Sequence, residues 1–129
     1  MAKVSKKALI ITDGTESIQS IALLITDVLS DFKVKICTGE KFNGTDLLPV
    51  DIFFLGCEKI KPESFAYLEE MLSHINLASR KCGIFSVNKK TLQYLLGIVK
   101  DSEADTGELL ADGEIKKPVV KNWLKGMLK

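Results

Sequence analysis

The hexapeptide Thr12-Asp13-Gly14-Thr15-Glu16-Ser17 places three hydroxyls, a glycine and two carboxylates between an apolar run and an amphipathic stretch. A loop that leads into a helix offers unpaired N–H groups and the positive end of the helix dipole. Hydroxyls and a glycine at such a place suit a phosphate without help from lysine or arginine. The same residue types also make turns and N-caps, so phosphate seat and plain bend are both open readings. Glu16 bears on the choice. A carboxylate ~5 Å from a phosphate costs roughly 3 kcal/mol per unit of phosphate charge at an effective dielectric of about 20. Cys57 and Glu58 follow a second apolar run, DIFFLG; Ser86 lies within a third, GIFSV, and Asn88 follows it. A reactive thiol at Cys57 needs positive charge nearby. Lys59 and Lys61 could supply it and Glu58 opposes it, so the thiol is read as inert. His74 has no positioned serine or cysteine in sequence. With no catalytic constellation visible, the chain reads as a carrier or binding domain rather than an enzyme.

These residues fall where the element pattern needs loops. Ala8–Thr12 is a short continuous apolar run, as expected of a strand covered on both faces. Ile18, Ile21, Ala22, Ile25, Val28, Leu29 and Phe32 then recur at helical spacing. Lys33–Cys37 alternates as a second strand, Gly39–Asp46 reads as a loop, and Asp51–Gly56 is a third strand. Pro62 suits the first turn of a helix with Phe65, Leu68, Leu72 and Ile75 on its core face. Gly83–Val87 is a fourth strand, Asn88 an N-cap, and Leu92, Leu95, Leu96 and Val99 the face of the next helix. Glu108–Ala111 is a weaker fifth strand, and Pro118 opens a last helix with Val120, Trp123, Leu124, Met127 and Leu128 inward.

Strands alternating with helices imply a three-layer α/β/α fold with a five-stranded parallel sheet, each crossover right-handed. In the doubly wound order 2-1-3-4-5, ligands lie at the carboxyl ends of the strands beside the switch point. The loops beginning at Asp13, Cys57 and Val87 therefore share one edge. The chain of 129 residues carries a net charge of +1, which gives no field for nucleic acid. Its three cysteines show no C-x-x-C spacing, so neither a disulfide framework nor a zinc site is indicated. No run approaches a membrane span and Ala8–Ile11 is too short for a signal core, so one cytoplasmic domain over residues 1–129 is expected.

The strand, the TDGTES turn with its helix, the DIFFLG strand ending in glycine and the late GELLADG segment together resemble the flavodoxin family across most of the chain. The turn is similar to the family's T/S-x-T-G-N-T phosphate loop. Registered on the strand end, Thr12, Gly14 and Ser17 fall on hydroxyl positions, while Thr15 replaces the glycine and Glu16 the asparagine. Registered on Ile21-Ala22, Thr15 takes a hydroxyl place, Glu16 the glycine and Ile18 the last threonine. The resemblance implies FMN as cofactor, electron transfer to a redox partner protein, a phosphate surrounded by Thr12, Asp13, Gly14, Thr15, Glu16 and Ser17, and a ring or ribityl chain flanked by Cys57, Glu58, Ser86 and Asn88. The aromatics that sandwich the flavin in many members are missing from Cys57–Lys61 and Val87–Lys90. Two further readings follow: an interaction domain that keeps the fold without the cofactor, and a degenerate phosphoacceptor receiver, for which Asp13 and Lys117 fit and Gly56-Cys57 at the end of the third strand does not.

Overall fold

The structure is a computed structural model that describes residues 6–47, 49–78, 80–107, 109–111 and 116–127. Its strands are β1 (Lys6–Thr12), β2 (Phe32–Thr38), β3 (Ile52–Gly56), β4 (Lys81–Ser86), β5 (Asp105–Thr106) and β6 (Leu110–Ala111). Its helices are α1 (Glu16–Val28), α2 (Ala66–Leu72), α3 (Lys89–Lys100) and α4 (Lys117–Met127). All pairings are parallel, in the order β2-β1-β3-β4-β5, with β6 also paired to β4. The expected doubly wound sheet, order 2-1-3-4-5, is present.

Alternate residues of the apolar strands feed opposite layers, which is why those strands read as unbroken hydrophobic runs. Leu9, Ile11, Phe53, Leu55 and Ile84 meet Leu68 and Leu72 of α2 and Leu92, Leu95 and Val99 of α3. Ala8, Ile10, Ile52, Phe54 and Phe85 meet Ile18, Ile21, Ala22 and Ile25 of α1 and Val120, Trp123 and Leu124 of α4. The layers are held close by glycine at two strand positions. A Cβ on Gly56 would lie 2.3 Å from the Phe85 ring, and one on Gly83 would lie 2.4 Å from the Phe54 ring.

Several elements differ from the sequence reading: Phe32, expected on the first helix, opens β2; a 3-10 turn, Gly44–Leu47, stands in the stretch expected as a loop; and Ile75 lies past the end of α2. Pro62 precedes a 3-10 turn, Glu63–Phe65, and α2 starts only at Ala66, because Phe65 (φ −97°, ψ 2°) departs from α geometry. The fifth strand is divided. β5 pairs with Lys81-Cys82 and β6 with Phe85-Ser86, and the register advances by one residue between them, as at a bulge. The expected strand over Glu108–Ala111 thus captures only β6, and Glu108, like Leu128 of the last helix, lies outside the described residues.

Candidate functional site

The carboxyl ends of β1, β3 and β4 bring the three expected loops together. Thr12, fully buried, ends β1; its Oγ1 accepts the Gly14 N–H at 3.2 Å and donates to Gln19 Oε1 at 3.2 Å. Gly14 turns the chain at φ +82°, where a side chain would be strained. Thr15 then precedes α1 in an extended conformation without capping it through its side chain. Glu16 is exposed in the first turn of α1.

Asp13 organises the turn. Its Oδ1 accepts the Thr15 N–H at 3.0 Å and the Thr15 hydroxyl at 2.6 Å, and its Oδ2 accepts the Glu58 N–H at 2.8 Å. Ser17 donates its hydroxyl to Glu58 Oε2 at 2.6 Å. The loops after β1 and β3 are therefore laced by two carboxylates, each bound across 41 or more residues of sequence.

The third loop is tied in from below. Ser86, fully buried, donates to the Cys57 carbonyl at 2.7 Å, and its Oγ accepts the Asn88 N–H at 3.4 Å. Asn88 Oδ1 accepts from Lys90 N at 2.9 Å and Thr91 N at 3.2 Å, the expected N-cap. Thr91 Oγ1 reaches the Glu58 carbonyl at 3.2 Å. Gln19 and Thr91 escaped the sequence reading because helical hydroxyls and amides carry no local signal of a partner beyond their own helix.

Cys57 is fully buried, and burial first, then the negative charge of Asp13, pushes its thiol up to about 12. Lys59 and Lys61 are exposed and do not reverse that shift. The thiol is thus protonated and unreactive at neutral pH. Trp123 lies in the core beside Phe54, at 5.7 Å between ring centroids, and Tyr67 lies against Phe42, also at 5.7 Å. His74 Nδ1 lies 2.9 Å from the Glu70 carbonyl in the turn after α2.

A groove of about 460 Å³ opens beside the turn, and its charged lining is Asp13, Glu40, Glu58 and Glu63 against Lys59 and Lys61. A phosphate offered to this turn finds the Gly14, Thr15 and Glu58 N–H groups and the Thr15 and Ser17 hydroxyls already donating. It also meets two carboxylates, each costing about 3 kcal/mol against a single negative charge at ~5 Å and an effective dielectric of about 20. As arranged, these donors are occupied by the protein's own side chains, and what the turn has left to offer a phosphate is the set of first-turn N–H groups of α1, which no side chain of Thr15 caps.

The architecture is that of the flavodoxins. Neither a protein-family model nor a curated protein sequence matches the chain. Among solved structures it is similar to the Streptococcus pneumoniae TIGR4 flavodoxin, with a TM-score of 0.79 at 15% identity over 95% of this chain and 97% of that one. A short-chain flavodoxin associated with a non-canonical PDU bacterial microcompartment gives 0.81 at 14% identity over 95% and 97%. Flavodoxin 2 from Bacillus cereus gives 0.76 at 20% identity over 95% and 97%. At these identities the likeness is one of fold. No helix among the described residues is long and apolar enough to cross a membrane.

Proposed function

We propose that this chain is a flavodoxin-fold interaction domain whose phosphate turn is closed by its own carboxylates. The observation that carries this reading is the Asp13 side chain, which takes the two donors of Thr15 and the backbone N–H of Glu58. A carboxylate so bound does for the turn what an external anion would otherwise do: it satisfies loop donors at the positive end of α1. Glu58 does the same for the Ser17 hydroxyl. The carboxyl edge is left as a fixed, largely acidic surface on which protein partners, rather than a nucleotide phosphate, find complementary groups. An absorption spectrum of the purified protein, incubated with excess FMN and then desalted, tests it. A spectrum without flavin bands is expected, and retained flavin would defeat the reading.

A second reading is FMN binding with electron transfer to a redox partner protein, in the cytoplasm. It is favoured by the first turn of α1, which no side chain of Thr15 caps, and by the shared fold with proteins such as the Fusobacterium nucleatum flavodoxin solved with FMN. On this reading Asp13 and Glu58 swing away. The donors of Thr12–Ser17 then hold the phosphate, with Cys57, Glu58, Ser86 and Asn88 beside the ring or ribityl chain. FMN would supply the electron chemistry, and the protein would tune its potential.

A further inference from the structure

β2 stands at the end of the sheet order. It pairs with β1 over all seven residues, and no described strand lies beyond it. In a parallel pair a residue sends its N–H and C=O to the same side, and successive residues alternate. The Gly39 N–H bonds the Thr12 carbonyl of β1 at 3.0 Å. The main-chain groups of Lys33, Lys35 and Cys37 therefore also face β1, and those of Val34 and Ile36, with the Thr38 N–H, face outward from the sheet, while the Thr38 carbonyl accepts the Lys41 N–H at 3.1 Å.

The side chains sort by the same alternation. Val34 and Ile36 are half-buried and pack against the core layer under α1. Lys33 and Lys35 are exposed on the opposite face, and Lys7 sits directly beside Lys33 in the ladder. That face runs into a cleft of about 200 Å³ whose apolar walls include Leu9, Pro49 and Val50. Asp46 approaches Lys35 at 3.5 Å. Lysines on an edge strand oppose pairing with a second copy, because like charges would be set against one another. They favour a strand with carboxylates at alternate positions, whose intervening apolar side chains would extend the Val34 and Ile36 surface.

We propose that β2 is a docking edge for an extended, acidic segment of a partner protein, which adds as a strand beside Val34, Ile36 and Thr38. The proposal rests on the interaction-domain reading for its purpose. Its surface lies away from the Asp13 turn, so strand docking and flavin binding are measured separately.

The probe is a capped, fluorescently labelled peptide of about eight residues alternating glutamate and valine, titrated into the full chain and followed by anisotropy and amide NMR. Saturable binding is expected, with hydrogen-exchange protection of the Val34, Ile36 and Thr38 amides. Lys33→Glu with Lys35→Glu should weaken it about tenfold, from the loss of two cross-strand charge pairs. A peptide N-methylated at alternate residues, which leaves the protein untouched, should not bind. Equal affinity of a composition-matched scrambled peptide, shifts centred on Lys117, Lys121 and Lys125 of α4, or absence of binding would each overturn the proposal. So would concentration-dependent self-association abolished by the two lysine substitutions, since it would make a second copy the occupant.

Discussion

Replacing Asp13 by alanine removes three accepted hydrogen bonds at once, at 3.0, 2.6 and 2.8 Å. Hydrogen bonds to a charged group contribute about 1.5–3 kcal/mol each when intact. The site is only part-buried, so water takes up some of the freed donors. A net loss of about 3 kcal/mol is expected, a large fraction of the ~5–15 kcal/mol that holds such a domain folded. With a urea slope of ~1.5 kcal/mol per molar, the midpoint should fall by about 2 M. The variant also exposes the Thr15 and Glu58 donors to solution anions. Phosphate should therefore restore part of the stability of Asp13→Ala, by about 1.4 kcal/mol at ~10 times its Kd, beyond any general effect it has on the parent. Urea unfolding of both proteins in chloride and in phosphate at matched ionic strength measures this. A loss below ~0.5 kcal/mol, or equal phosphate stabilisation of both proteins, would refute the view that Asp13 is the anion of the turn.

Three further outcomes follow from the geometry. Asn88→Ala removes the cap of α3 and should cost about 1 kcal/mol in urea unfolding; an unchanged midpoint would discount the cap. Gly83→Ala forces a Cβ to within 2.4 Å of the buried Phe54 ring and should cost about 1–3 kcal/mol, read as a lowered thermal midpoint. The Cys57 thiol titrates near 9.0 when unfolded and is pushed to about 12 in the fold, and burial also raises Cys82. The folded chain thus holds protons that the unfolded chain gives up. That contribution is whole below pH 9.0 and falls as pH rises from there toward 12, by about 1.4 kcal/mol per pH unit per thiol. Cys57→Ala should flatten the fall, and stability rising over that window would contradict the assignment.

The fold was legible because its signals are local. Ala8–Thr12 and the DIFFLG strand are apolar without alternation, as both layers require, and Asn88 announces the helix it caps. β5 was not legible, since two residues paired with Lys81-Cys82 and offset by a bulge carry no periodicity of their own. The site was legible in its members and not in its wiring. The TDGTES turn raised the question of a phosphate from hydroxyls, glycine and helix start alone, and Glu16 stood out as its electrostatic obstacle. The carboxylates that fill the turn are those of Asp13 and Glu58, and Glu16 is exposed. Residues 45 apart in sequence gave no sign of that bond before the sheet set β1 beside β3.

Because FMN and riboflavin differ only in the phosphate, calorimetric titration of the unmodified protein with each isolates the turn from the rest of the edge. An interaction domain whose turn is closed by Asp13 and Glu58 predicts no saturable heat of binding with either ligand. FMN binding about tenfold or more tighter than riboflavin, equivalent to roughly 1.4 kcal/mol or more from the phosphate, would contradict the closed turn and establish the phosphate seat instead.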